Sequence, residues 1–278
     1  MDDSRYGRNV ALFGEKGQQR IADTSVAIVG LGGLGSHVAQ QLAYLGTQRY
    51  ALVDADIVSE SSLNRLIGAV PGDVAQRTSK ARCAERMVGT IQPDAQVEVV
   101  EEEVRRGSNR ASAVVAGSGA VFGCLDAETP RLLLTELCSS VGVPYFDLAT
   151  DTGGKDEGWY GGRVVSFTGV GCLSCLDLLD QNLMRYEQMS EADRAASRRL
   201  YGLESEFLGE TGPAVVSVNG VVASLAVTEF MAHVTGIRPP ALQLTFRGDL
   251  SRIVPSRDTG REGCPYCSAW QVNVRSVG

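Results

Sequence analysis

Gly30, Gly32 and Gly35 stand at G-x-G-x-x-G spacing, with Gly33 as an additional glycine inside the turn. The apolar run at residues 25–30 (SVAIVG) precedes them, and residues 34–45 follow with Leu34, Val38, Leu42 and Leu45 at helical spacing. Glycines between a strand and a helix let backbone N–H groups and the helix amino end approach phosphates, which side chains would block. Asp54, closing the next apolar run, is placed to accept a hydrogen bond from a ribose hydroxyl. The chemistry implied is adenine-nucleotide binding. Taken alone, the turn also suits an NAD-dependent oxidoreductase, or a turn glycine-rich only for packing.

Three further charges favour a triphosphate. Arg65 and Lys80 follow Asp54 within one strand–helix unit, in a stretch that should face the nucleotide. Two cations there suit ATP better than a dinucleotide pyrophosphate. Asp126 closes the next strand, at the sheet edge where ligands of such folds bind. A carboxylate beside phosphates is repelled unless a divalent cation bridges them, so Asp126 is a candidate Mg²⁺ ligand.

A second group is four cysteines in two C-x-x-C pairs, Cys172/Cys175 and Cys264/Cys267. In a reducing compartment this spacing reads first as metal ligation, and four thiolates complete a tetrahedral Zn²⁺ site with no open position. Such closed sites stabilise folds and do not catalyse. Cys83, Cys124 and Cys138 lie in apolar or helical stretches and read as small core residues. His37, His233, Trp159 and Trp270 read as structural or packing residues.

The elements that must position these groups alternate. Strands are expected at residues 25–30, 50–53, 97–100, 120–125 and 144–148, with helices at 34–45, 79–91 and 128–141. Gly46 closes the first of these helices and Pro93 stops the second. This rhythm predicts an α/β fold with a Rossmann-like, mostly parallel sheet and helices on both faces. Beyond residue 150 the rhythm changes. Residues 151–162 read as a loop, 163–167 as a strand, 181–210 as a polar, partly helical segment with Ser190 as an N-cap, and 213–234 as an apolar helix. Residues 242–246 and 252–254 suit a closing hairpin. A metal shared by the two cysteine pairs would tie the last segment to the middle of the chain. A single domain over residues 1–278 is therefore expected, with a C-terminal extension held by the four-cysteine site.

Composition sets bounds. The chain has 278 residues, 44% hydrophobic and 21% charged, enough for a substantial core. A net charge of −7 argues against a general nucleic-acid binder. No uninterrupted apolar run reaches the length of a membrane span, and the polar N-terminus lacks a signal-peptide core. The expected compartment is cytoplasmic.

Taken together, Gly30–Gly35 (GLGGLG), Val53–Val58 (VDADIV), Ser61–Arg65 (SSLNR), Lys80 and Cys124–Asp126 (CLD) strongly resemble the ThiF/MoeB/HesA family. These E1-like enzymes adenylate the C-terminal carboxylate of ubiquitin-like proteins or peptides. Arg5–Arg8 (RYGR) is similar to that family's opening R-Y-x-R signature, and the cysteine pairs match its structural zinc site. The resemblance runs from Arg5 to Cys267. It implies that Gly30, Gly32, Gly33, Gly35, Asp54, Asp56, Ser62, Arg65 and Lys80 hold ATP, and that Asp126 binds Mg²⁺ near the reacting carboxylate. It also implies that Arg8 enters the ATP site of a second subunit, hence a homodimer. The implied partner is a ubiquitin-like or sulfur-carrier protein or a peptide C-terminus, with neither nucleic acid nor membrane involved. A crossover segment is implied at about 176–212 and a zinc-linked segment at about 240–278.

Three departures stand out. Ser62 replaces the Asn of the family's S-N-L-x-R. Gly123 and Ala127 replace the first acid and the Asn of D-x-x-D-N, leaving Asp126 alone. Residues 176–263 contain no cysteine, so an enzyme thioester on that segment is not available. Two alternatives stay open. An NAD-dependent oxidoreductase leaves Arg65, Lys80 and the cysteine pairs without a job. A non-catalytic partner subunit would keep the fold and lose the reaction.

Overall fold

A computed structural model describes residues 5–107, 109–153, 158–190, 193 and 214–277. Helix α1 (Gly7–Asp23) leads into β1 (Ser25–Val29), α2 (Gly33–Leu45) and β2 (Arg49–Val53). A 3₁₀ turn (Glu60–Ser62) and α3 (Pro71–Ala75) precede α4 (Lys80–Ile91), β3 (Gln96–Val100), α5 (Arg110–Ala116), β4 (Ala120–Gly123) and α6 (Glu128–Val141). Then come β5 (Tyr145–Thr152), β6 (Tyr160–Phe167), α7 (Gln181–Gln188), α8 (Val216–Thr235), β7 (Gln243–Arg247), β8 (Arg252–Pro255) and α9 (Pro265–Val277).

The strands form one sheet of order β3-β2-β1-β4-β5-β6-β7-β8. The first five in that order are parallel, and β6, β7 and β8 join antiparallel. The inner strands are buried on both faces, as parallel sheets require. On β1, Val26 and Ile28 enter the core beneath α2, α4 and α8, while Ala27 and Val29 face the opposite core beneath α5, α6 and α9. Tyr50 and Leu52 alternate with Ala51 and Val53 on β2 in the same way. Phe122, Phe146 and Phe230 meet at centroid distances of 5.3–6.0 Å and lock α8 onto β4 and β5.

The alternating α/β reading thus corresponds to the sheet, and differences fall at particular places. Residues 151–162 read as a loop, yet β5 extends to Thr152 and β6 begins at Tyr160, with Asp151 opposite Gly161 and Thr152 opposite Tyr160, while 154–157 lie outside the described residues. The glycines are ladder positions: a β-carbon at Gly161 would meet Phe246 O at 2.0 Å, and one at Gly162 would meet Ala149 O at 2.5 Å. Within the polar segment, α7 is helical and the Ser190 hydroxyl accepts the Asp193 N–H at 3.1 Å, while most of 191–213 lies outside the described residues. Helix α8 is long and apolar enough to span a bilayer by length and composition. Ser217, Asn219 and Glu229 interrupt its apolar run, which is why no such segment is evident as a run. Val222, Ala223, Ala226 and Phe230 of α8 are buried in the core.

Candidate functional site

The strand order reverses at β1, which lies between β2 and β4, and this is where open α/β sheets bind ligands. Three ladder-like bonds bring the strand ends level. Gly30 N–H donates to Val53 O (2.9 Å), Asp54 N–H to Val100 O (3.1 Å) and Cys124 N–H to Val29 O (2.8 Å).

The glycine turn is built by close approach. Gly30 has φ +86°, and its β-carbon would meet Cys124 O at 2.5 Å. A β-carbon at Gly35 would lie 1.9 Å from Gly30 O. Gly33 faces Asn219 and Arg65, and only Gly32 has open space around its missing β-carbon. First-turn N–H groups of a helix have no intrahelical acceptor, so the amino end of α2 presents donors at this opening.

Asp54 fastens the turn. Its carboxylate accepts Leu31 N–H at 2.6 Å and Asp56 N–H at 2.8 Å. Burial pushes the Asp54 carboxyl above the usual aspartate range, opposed by those two amides and by Lys80. Lys80, the first residue of α4, donates to Asp56 Oδ2 at 2.7 Å. Lys80 is 19% exposed in its side chain and Asp56 71%. The Arg65 guanidinium donates to Ser61 O and, at 3.1 Å, to Asn64 Oδ1. Ser62 is only 5% exposed, and its hydroxyl accepts Ser59 N–H at 3.3 Å. Its hydroxyl therefore holds the turn that carries Arg65 rather than facing the cleft. Asp126 is exposed just beyond β4, with no hydrogen bond or ion pair among the described residues. Both its oxygens are open to a cation.

Arg8 is not brought to this edge. Asn9 donates to Leu45 O at 3.4 Å, Tyr6 to Gln92 Oε1 at 3.1 Å and Arg5 to Ile91 O, so this segment sits on the carboxyl ends of α2 and α4. Helix α2 has 13 residues, and at 1.5 Å rise per residue that places Arg8 about 20 Å from the glycine turn.

Sequence reasoning missed a buried polar group under the start of α6. Arg131 donates to Asp147 through Nε (3.1 Å) and Nη2, and to Glu128 Oε1 at 3.0 Å. Tyr145 donates to Asp147 Oδ2 at 2.7 Å. Glu187 of α7 accepts Glu128 N–H (2.9 Å) and Thr129 N–H (2.7 Å), capping α6 from the crossover region. The partners are far apart in sequence; the one local signal is an acid–arginine pair at helical spacing, Glu128 and Arg131.

The four paired cysteines converge, with all four Sγ atoms within 4.8 Å of one another and three of the residues buried. Cys172 Sγ lies 3.5 Å from Cys264 Sγ, and Cys175 Sγ 3.8 Å from Cys267 Sγ. A tetrahedral ion with about 2.3 Å metal–sulfur bonds needs sulfurs roughly 3.8 Å apart, so the donor set fits. Thiol hydrogen bonds, chiefly from Cys172, hold the Cys267 thiol down to about 5. Cys83 and Cys138 are buried core residues. Trp270 packs edge-on against Phe167 at 5.2 Å.

A mostly parallel sheet with a glycine turn at its switch point, an acid closing the next strand and a paired-cysteine clasp define an open α/β protein with a cleft at its strand ends. Residues 6–256 match the ThiF family, and the chain belongs to it. The chain is 37% identical over 142 residues to the SAMP-activating enzyme E1 of Haloferax volcanii, covering 50% of this chain and 51% of that protein. It thus spans about half the length of that relative. It is 27% identical over 272 residues to the sulfur carrier protein ThiS adenylyltransferase of Escherichia coli, covering 96% and 95%. Among solved structures, Escherichia coli MccB with MccA-N7isoASN superposes with a TM-score of 0.75 at 16% identity, covering 96% of this chain and 75% of that one. This last likeness concerns the fold.

Proposed function

We propose that this protein uses ATP and Mg²⁺ to adenylate the C-terminal carboxylate of a ubiquitin-like or sulfur-carrier protein or of a peptide, releasing pyrophosphate. The observation that carries the reading is the convergence, in a ThiF-family chain, of the α2 amino end, Asp54, Arg65, Lys80 and Asp126 at one edge of the sheet. The carboxylate attacks the α-phosphorus and the bond to pyrophosphate breaks. Lys80 and Arg65 stabilise charge on the phosphorus centre and the leaving group; Asp54 orients the ribose and keeps the turn open. Asp126 would hold Mg²⁺, which when bound offsets phosphate charge. Positioning and fixed charge supply most of the acceleration such a transfer needs. An acyl-adenylate is a mixed anhydride that water destroys, and the crossover segment beginning with α7 is the proposed cover. The product passes to an external nucleophile, because residues 176–263 hold no cysteine.

A homodimer is part of this reading, since the chain's own Arg8 lies at the far end of α2. So is a structural Zn²⁺ on Cys172, Cys175, Cys264 and Cys267, with a reducing cytoplasmic setting that keeps those thiols free. Radiolabelled pyrophosphate should exchange into ATP only when a carrier carboxylate and Mg²⁺ are present. Absence of exchange with a panel of carrier C-termini would count against the reading. Unchanged exchange after Asp126→Ala would point to a partner subunit without its own reaction.

A further inference from the structure

The glycine turn holds one glycine more than the phosphate motif uses, and the side chain that fills the space comes from the other half of the chain. A β-carbon at Gly33 would meet Asn219 Nδ2 at 2.2 Å and Arg65 Cδ at 3.4 Å. Asn219 lies in the first turns of α8, the apolar helix packed along α2. The two helices close tightly there on both sides, because a β-carbon at Gly220 would in turn meet His37 Cε1 at 3.3 Å.

Asn219 is 2% exposed. Its carboxamide carries two N–H donors and an acceptor oxygen, yet among the described residues it has no hydrogen-bond partner. Two other buried polar groups on these helices are satisfied, while His37 Nε2, against Gly220, is also without a partner among the described residues. Glu229 on the same helix accepts from Arg238 and, at 2.6 Å, from Ala241 N–H. Ser36 on α2 donates to Gly33 O and accepts Ile67 N–H at 3.0 Å. A nearly buried amide without a protein partner forgoes hydrogen-bond free energy that a ligand at the cleft can restore. The ligand side is also defined: Asn219 Nδ2, the Arg65 side chain and the unpaired first-turn amides of α2 meet around Gly33, beside the open space at Gly32.

We infer that Asn219 is a further phosphate-contacting residue, donating its Nδ2–H to a nucleotide phosphate seated at the amino end of α2. This rests on the nucleotide reading above and adds a contact from a segment beyond the crossover, so that α8 couples to the occupied site. The G-x-G-x-x-G pattern and the charges after it do not include this residue.

The test is calorimetric titration of the full chain and of Asn219→Ala, Asn219→Asp and Asn219→Ser with ATP plus Mg²⁺, and separately with adenosine, after thermal melts confirm folding. A hydrogen bond to a charged group is lost in Asn219→Ala, so ATP affinity should fall about tenfold or more while adenosine affinity holds within about twofold. Asn219→Asp is nearly isosteric and should weaken ATP further, by repulsion. Asn219→Ser is too short to reach, and carries the comparison if the other variants do not fold. Unchanged ATP affinity in the folded variants, or equal losses for ATP and adenosine, would overturn the inference and leave the nucleotide site standing. A wild-type chain that does not bind ATP with Mg²⁺ would overturn both.

Discussion

Lys80 is paired in a way that leaves it available. Its partner Asp56 is mostly exposed, and ion pairs of that kind contribute only about 0–1 kcal/mol. A phosphate with higher charge can take Lys80 over at small cost. Lys80→Ala should therefore lower kcat/KM for pyrophosphate exchange by about 100-fold, in the range of losing one preorganised cation, while its melting temperature stays close to wild type. Asp147 behaves oppositely. It is fully buried, ion-paired to Arg131 and hydrogen-bonded by Tyr145. Asp147→Ala removes the two-bond partner of a buried guanidinium and leaves it only Glu128, so chemical denaturation should show a loss of about 3 kcal/mol. Which of these residues were legible in the sequence follows from where their partners sit. Asp54, Lys80 and Asp126 close strands or open helices, so periodicity alone put them at one edge. Asp147 meets its partner across a helix–strand packing, and Asn219 meets Gly33 from 186 positions away, with no local pattern to announce either.

The segment between β2 and α4 carries Arg65, and its shape depends on one buried carboxylate. Asp73 accepts Val70 N–H at 2.8 Å and binds Arg86 through both oxygens at 2.7 Å, while Arg86 also reaches Gly68 O. Arg86 holds the Asp73 carboxyl down to about 2. A folded-state value below the unfolded one means stability that is present above about pH 4 and is lost as pH falls toward 2. Asp73→Asn should lower stability at neutral pH by about 1–3 kcal/mol, and the gap from wild type should close over that acid window. Denaturant midpoints measured from pH 7 to pH 2 check the sign. Local patterning gave no warning of this segment, because α3 is only five residues long and is held by tertiary ion pairing. Helix α1 was hidden for another reason: Gly7, Gly14 and Gly17 weaken its helical signal, and Gly14 at φ +74° kinks it.

For the molecule as a whole, the cysteine clasp and the position of Arg8 bear on how the chain assembles. The clasp joins the turn after β6 to the start of α9, whose Trp270 lies against Phe167. A zinc-selective chelator with Mg²⁺ in excess should lower the melting temperature and shift the Trp270 emission before exchange activity is lost, because the thiolates lie away from the strand ends that hold Asp54 and Asp126. Arg8, on the carboxyl end of α2, can serve the glycine turn only if a second protomer presents it there. Mixing tests this. In a heterodimer of Arg8→Ala and Asp126→Ala chains, one site receives an intact Asp126 from its own chain and an intact Arg8 from the partner, and the other site has neither. Random reassembly of equal amounts of the two inactive homodimers should restore about a quarter of wild-type exchange, by the symmetry of a two-fold interface. If Arg8 acted on its own chain's site, every site in the mixture would keep a defect and no activity would return.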